Sequence, residues 1–215
     1  MQIIWKGQSF FQIITRHNND RAVIAIDPFS EDIGLKVPTV EADILLITHY
    51  HQDHQNVKAI KGQPFLIDGP GEYEIKNVFI QGIDSFHDNS SGKKRGKNTI
   101  YLIKAEDIKI CHLGDLGQKE LTDEQAEQIS DIDILLIPIG GTFTISGDEA
   151  AKIISQLEPK IVVPMHYKIP KLKIKLDGLE SFLQKMGVRS PETLDKLSIK
   201  KKDLPEDTKI MILKH

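Results

Sequence analysis

The chain has 215 residues, 40% of them hydrophobic and 27% charged, with Lys and Arg at 28 against Asp and Glu at 31 and a net charge of −3. A chain of this length buries about 70% of its unfolded surface without covalent staples; its one cysteine, Cys111, leaves no disulfide framework, and no apolar run reaches the roughly 20 residues of a membrane helix. Disulfide scaffolds, helical membrane spans, coiled coils and disordered tails are excluded, the charge balance carries no broad basic field for nucleic acid or lipid, and a cytoplasmic soluble protein is expected.

The first third reads as strands. Residues 2–5 and 10–15 are rich in Ile, Phe and Trp and flank the turn-like Lys6-Gly7-Gln8-Ser9. The apolar run 22–26 (AVIAI) stops at Asp27-Pro28, and 44–47 (ILLI) stops at a polar, histidine-dense segment. Unbroken apolar runs suit strands covered on both faces. Further strands are expected at 65–67, 78–83, 99–103, 108–113, 134–137 (ILLI again), 161–163 and 209–213. Thr122 opens a helix with an acidic first turn, Ser146 and Glu149 have the spacing of a capping box for a helix to Leu157, and 177–186 is a third helix, ended by Gly187. Residues 88–97 (DNSSGKKRGK) read as a mobile turn, and 168–175 carry four lysines alternating with Ile, Pro and Leu, the pattern of a solvated edge strand. Strands outnumber helices, both are spread along the chain, and no linker divides it. The expectation is an α/β sandwich of sheets flanked by helices, with residues 1–215 as one domain.

His49-Tyr50-His51-Gln52-Asp53-His54 carries the most chemical information. His49 and His51, at i and i+2 of an extended segment, point the same way, while a following turn swings Asp53 and His54 to a second point nearby. Imidazole and carboxylate donors this dense, at the carboxyl end of a buried strand, suit a pair of zinc-like ions. Other candidates follow apolar strands too: His87, Asp115 in His112-Leu-Gly-Asp-Leu-Gly, and His166 in Pro164-Met-His-Tyr167. In α/β sheets sites gather outside the carboxyl ends of strands, so these positions can converge.

The set resembles the metallo-β-lactamase superfamily: an H-x-H-x-D-H motif at 49–54, a lone histidine, a G-D-x-G aspartate and a final histidine after a strand. Gly7-Gln-Ser-Phe-Phe, Ile26-Asp-Pro-Phe, Gly69-Pro-Gly-Glu-Tyr and Pro164-Met-His-Tyr extend the resemblance over nearly the whole chain. They point to the short, lactonase-like branch of predicted zinc-dependent hydrolases related to ascorbate-6-phosphate lactonases. The resemblance implies a four-layer αβ/βα sandwich, two mixed sheets packed face to face with helices outside. It also implies two Zn2+ ions (or Mn2+ or Fe), one held by His49, His51 and His87, the other by Asp53, His54 and His166, with Asp115 bridging. His112 competes for the role of His87. Relatives often have Gly-His-Ser at the opening, where this chain has Gln8.

Such a centre implies a metal-bound hydroxide that attacks a small molecule, a lactone or a phosphorylated metabolite, with Asp53 orienting the nucleophile or accepting its proton. Asp27 is a candidate support for a ligand histidine. Lys168 and the neighbouring Lys171, Lys173 and Lys175 are candidates to attract an anionic group, and Tyr167 lies beside them. Gly140-Gly141-Thr142 offers either backbone N–H groups to an oxyanion or a plain tight turn. Two other readings remain open: an RNA-processing nuclease of the same superfamily, disfavoured by the 50 residues between Asp115 and His166, too few for a large inserted domain, and a metal-binding sensor without turnover. Oligomeric state is not written in the sequence.

Overall fold

The computed structural model describes residues 1–18 and 20–215. Its strands and helices, in chain order, are β1 (Gln2–Trp5), β2 (Phe11–His17), β3 (Asp20–Ile26), β4 (Val40–Glu41), β5 (Ile44–Leu46), β6 (Ile60–Lys61), β7 (Phe65–Ile67), β8 (Gly71–Ile75), β9 (Val78–Phe86), β10 (Lys97–Ala105), β11 (Ile108–His112), α1 (Asp123–Gln128), β12 (Ile134–Pro138), α2 (Gly147–Leu157), β13 (Ile161–Met165), α3 (Leu179–Lys185), β14 (Glu192–Leu194), β15 (Leu197–Ser198) and β16 (Lys209–Leu213). The six-stranded sheet has the order β15-β1-β2-β3-β5-β7 and the eight-stranded sheet β14-β16-β13-β12-β11-β10-β9-β8, with β4 and β6 paired apart from both. Both large sheets are mixed: β1 to β3 are antiparallel and β3, β5 and β7 parallel, while β8 to β11 are antiparallel and β11, β12, β13 and β16 parallel.

The unbroken apolar runs are the strands covered on both faces. Residues 22–26 of β3 and all of β5, β12 and β13 are buried. Strand β2, by contrast, alternates buried and half-buried positions over its first five residues, as a strand with one drier face should. The sheets meet through their inner faces. Tyr101 of β10 is fully buried, and its hydroxyl donates to the Ile47 carbonyl at 2.9 Å and the Ile67 carbonyl at 3.2 Å, tying the eight-stranded sheet to the ends of β5 and β7. Phe11 of β2 meets the His112 ring of β11 edge-on at 5.7 Å between centroids. This is the αβ/βα sandwich expected from the resemblance.

The helices begin where their caps dictate. Thr122 and Gln125 form a capping box for α1, and Ser146 and Glu149 form one for α2. Helix α3 starts at Leu179, later than expected, because Gly178 provides the cap position and no side chain. Residues 168–175 are not an edge strand. They form an irregular segment whose Lys168 and Lys173 amides donate to the Asp177 and Ile33 carbonyls, with all four lysines exposed.

Residues 88–97 do form a turn, up to the start of β10, and it is folded round one carboxylate. Asp88 Oδ1 accepts from the Ser90 amide (2.7 Å), the Ser90 hydroxyl (2.6 Å) and the Gly92 amide (3.1 Å), and Oδ2 accepts from the amides of Lys94 (2.9 Å) and Arg95 (2.8 Å). The Ser90 hydroxyl, opposed by burial and helped by those amides, holds the Asp88 carboxyl well below the usual carboxylate range. Asp88→Ala is therefore expected to free the loop, with hydrogen exchange at the Lys94 and Arg95 amides faster than in the parent at neutral pH. A depressed pKa gives stability that is full above the unfolded value and is lost as pH falls through the folded one. In the parent those amides should stay protected down to about pH 4, the ordinary carboxyl range, and lose protection only on further acidification. Equal exchange in parent and variant would remove Asp88 as the organiser.

Candidate metal centre

Strand direction explains how distant residues meet. Strands β9 and β11 are each antiparallel to β10 and so run the same way, and β12 and β13 run parallel to β11. The carboxyl ends of β9, β11 and β13 therefore lie at one edge, and they deliver His87, Asp115 and His166. Strand β5 of the other sheet delivers residues 49–54 to the same place. Two groups form: ligand atoms of His49, His51 and His87 lie within 4.8 Å of one another, as do those of Asp53, His54, Asp115 and His166. Asp115 straddles them. Its Oδ2 is 3.4 Å from His87 Nε2 and 3.1 Å from His166 Nε2, and its Oδ1 is 3.3 Å from His54 Nε2. His51 is exposed and Asp53 half-buried; the other five are buried.

The supporting contacts decide which ring nitrogens remain available. Asp27 Oδ2 lies 3.0 Å from His54 Nδ1 and accepts from the Thr48 hydroxyl at 2.7 Å, while Thr48 Oγ1 lies 3.0 Å from His49 Nδ1. One nitrogen of each ring is thus held by a protein oxygen, which fixes ring orientation. The opposite nitrogens, His49 Nε2 and His54 Nε2, are buried without a hydrogen-bond partner among the described residues, as are His87 Nδ1 and both nitrogens of His166. His54 Nε2 and His166 Nε2 sit close to carboxylate oxygens but off the direction a hydrogen bond requires. Each buried polar atom left unpaired costs about 1–3 kcal/mol, and so many in one place fit a site built for cations. The donor set, imidazole and carboxylate, suits zinc, manganese or iron.

His112 stands apart. Its Nε2 lies 3.1 Å from the Ser9 carbonyl and its Nδ1 accepts from the Gly114 amide at 3.1 Å, so both nitrogens are engaged. Of the two candidates, His87 is the one brought to the cluster. Tyr167 turns inward and stacks on Trp5 at 5.2 Å between centroids. The Gly141 and Thr142 amides are used within their own turn, on the Ile145 and Gly140 carbonyls, so the tight turn replaces the oxyanion reading.

Asn98 carries no signal in the sequence, and the sequence assigns Gln8 no partner. Asn98 of β10 joins strand ends: its Oδ1 accepts from the Asp115 amide at 2.9 Å, and its Nδ2 donates to Ser85 Oγ and the Leu113 carbonyl. Gln8 Nε2 donates to Asp53 Oδ2 at 2.9 Å, and the Gln8 carbonyl accepts from the His166 amide at 3.1 Å. Gln8, Asp27 and His166 all have left-handed backbone, with φ of 53°, 50° and 51°; such conformations cost about 1–3 kcal/mol each and persist where surrounding structure enforces them. The glycines of Gly114-Asp115-Leu116-Gly117 are required by space. A Cβ at Gly117 would lie 2.4 Å from the His87 carbonyl carbon and oxygen, and one at Gly114 would lie 2.3 Å from Asn98 Oδ1.

Electrostatics divide the histidines. Burial, joined by repulsion from His54, holds His49 well below the usual range, and burial lowers His87 against the pull of Asp115. For His54 burial again opposes charge most strongly, but Asp115, Asp53 and Asp27 outweigh it and hold the pKa well above the usual range. His166 follows the same pattern and is raised to about 9, chiefly by Asp115 against burial. Burial pushes the Asp53 and Asp115 carboxyls upward, yet the cations round them prevail and both lie below the usual range, for Asp53 through His54 and for Asp115 through His166 and His54. The carboxylates of Asp53 and Asp115 thus face two histidines held in the charged form, His54 and His166, and two held neutral, His49 and His87.

Comparison with known proteins agrees with this architecture. The beta-lactamase superfamily domain matches residues 2–166. A UPF0173 metal-dependent hydrolase of Thermococcus onnurineus is 30% identical, over 78% of this chain and 84% of that protein, and one from Lysinibacillus sphaericus is 32% identical over 78% and 85%. Among solved structures, a protein of Thermotoga maritima assigned as a Zn-dependent hydrolase of the metallo-beta-lactamase superfamily superposes with a TM-score of 0.80 at 35% identity, over 99% of this chain and 97% of that one. A protein of Parabacteroides distasonis, at 22% identity and a TM-score of 0.63, shares the fold. The chain therefore belongs to the beta-lactamase superfamily, among the UPF0173 metal-dependent hydrolases.

Proposed function

We propose that this chain is a cytoplasmic hydrolase that binds a pair of zinc ions and cleaves a small molecule, a lactone or a phosphorylated metabolite. The observation that carries the reading is the set of buried, unpaired histidine nitrogens in two neighbouring groups, with Asp115 of the second group 3.4 Å from His87 Nε2 of the first. His49, His51 and His87 would hold one cation, Asp53, His54 and His166 the other, with Asp115 between them. When bound, such a cation lowers the pKa of a water from about 15.7 to near 7 and polarises a carbonyl or phosphoryl oxygen. The chain's own residues do the placing. Asp27 and Thr48 hold the His54 and His49 rings in orientation, and Gln8 holds Asp53 through Oδ2. Asp53 would orient the attacking water or accept its proton. One hydrophobic cluster includes residues from both large sheets, which supports reading residues 1–215 as one domain.

The test is metal analysis of zinc-replete protein together with a panel of lactones and phosphodiesters. Two zinc ions per chain, and turnover that disappears with a chelator and returns with zinc, are expected. Less than one bound transition metal per chain would overturn the reading.

A further inference from the structure

We propose that the guanidinium of Arg95, on the rim of the metal centre, recognises an anionic group, a carboxylate or a phosphate, on a small-molecule substrate. This rests on the hydrolase reading above and adds the side chain that selects the substrate.

A cavity of about 470 Å3 opens beside the first histidine group, with His49, His51, Tyr50, Asp68, Arg95 and Lys97 among its walls. Both carboxylates on its wall have partners within the chain: Lys97 Nζ lies 3.3 Å from Asp84 Oδ1, and the Tyr50 hydroxyl donates to Asp68. Arg95 is different. Among the described residues no carboxylate pairs with it. Its Nη2 donates to the Thr142 carbonyl at 3.3 Å, and its central carbon lies 5.2 Å over the Phe143 ring. These contacts fix the plane of the guanidinium and use one of its five N–H donors. The remaining donors keep the fork that matches a carboxylate or phosphate.

The position is also rigidly tied to the centre. The Arg95 amide is one of the donors on Asp88, and Asp88 directly follows His87. Lys93, Lys94 and Lys97 are exposed beside Arg95, so a chain of net charge −3 shows local positive charge at this rim, which steers anions inward. The lysines of 168–175, the sequence candidates for this task, do not line the cavity.

The test uses zinc-loaded protein, two p-nitrophenyl esters of similar size, the neutral butyrate and the anionic hemisuccinate, and inorganic phosphate as a calorimetric probe. The parent is expected to prefer the hemisuccinate in kcat/KM. Arg95→Ala should lower that preference about tenfold, chiefly through KM, and weaken phosphate binding about tenfold, with Arg95→Lys in between. A loss confined to the hemisuccinate assigns the site to carboxylates, and one confined to phosphate assigns it to phosphate groups. Preference and phosphate affinity that both survive Arg95→Ala overturn the proposal. So does an equal loss on both esters with phosphate affinity intact, which makes Arg95 a structural residue. So does an Arg95-dependent, salt-sensitive affinity for single-stranded RNA in a protein whose small-anion binding ignores Arg95. If neither ester nor any panel substrate is turned over yet phosphate affinity falls in Arg95→Ala, the hydrolase reading fails and the anion site stands.

Discussion

Asp115→Ala is expected to lower turnover by at least about a thousandfold, a loss of roughly 4 kcal/mol of transition-state stabilisation, and to take bound metal below two ions per chain. The reason is position. Among the described residues Asp115 is the one carboxylate within 3.4 Å of His54, His87 and His166 together, so it touches both donor groups. Its backbone is held by the Asn98 side chain, and the flanking Gly114 and Gly117 exist to let this segment pass close to Thr48 and His87. Truncation leaves that frame standing while removing the charge it was built to carry, so the variant should fold. Metal content and turnover are read on the same preparation. A variant that keeps both ions and stays within tenfold of the parent would show that the two groups act separately.

Metal removal is expected to cost stability as well as activity, because the donors come from both sheets: residues 49–54 follow β5, and His87, Asp115 and His166 follow strands of the eight-stranded sheet. A ligand that binds only the folded state adds about 4 kcal/mol when its free concentration is a thousandfold above Kd. For a chain of this size that corresponds to a rise in Tm of about 8–16 °C. The difference should grow with pH. In the stripped protein His166, raised to about 9, makes its contribution with the carboxylates in full below the unfolded value near 6.5 and loses it as pH rises through about 9. Deprotonated histidines bind metal better, so the loaded form gains over the same interval. Calorimetric scans of loaded and stripped protein between about pH 6 and 9 check this; a gap that is constant or narrows would mean that the site does not join the sheets energetically.

Much of this arrangement was legible in the residues, for identifiable reasons. The runs AVIAI and ILLI mark strands buried on both faces because an unbroken apolar stretch has no other home, and the Thr122 cap and the Ser146–Glu149 capping box mark helix starts because their chemistry is local. The cluster at 49–54 needed no distant information. What escaped was long-range or unpatterned. Strand β8 reads GEYEI, with exposed glutamates and a glycine, and pairs only because β9 offers an edge. Gln8 meets Asp53 across 45 positions and Ser9 meets Asp115 across 106, separations set by sheet register and invisible to any short window. The sequence leaves His87 and His112 in competition, and only the structure shows that both nitrogens of His112 are spent on backbone groups. The lysines at 168–175 are plausible anion attractors by charge alone, yet none of them lines the cavity beside His49 and His51. Residues 88–97 form the turn that their composition suggests, but a stretch without apolar side chains gives no hint that a single aspartate organises it.

That last feature bears on how such a protein changes over generations. Because Asp88 gathers donors from four residues of its own loop and sits next to His87, residues 89–96 form a cassette whose backbone is gathered on one carboxylate beside the centre. Exchanging the cassette's side chains while keeping Asp88 alters what the mouth admits and leaves the histidines where they are, so new substrates are open to drift or to laboratory selection without rebuilding the chemistry beneath.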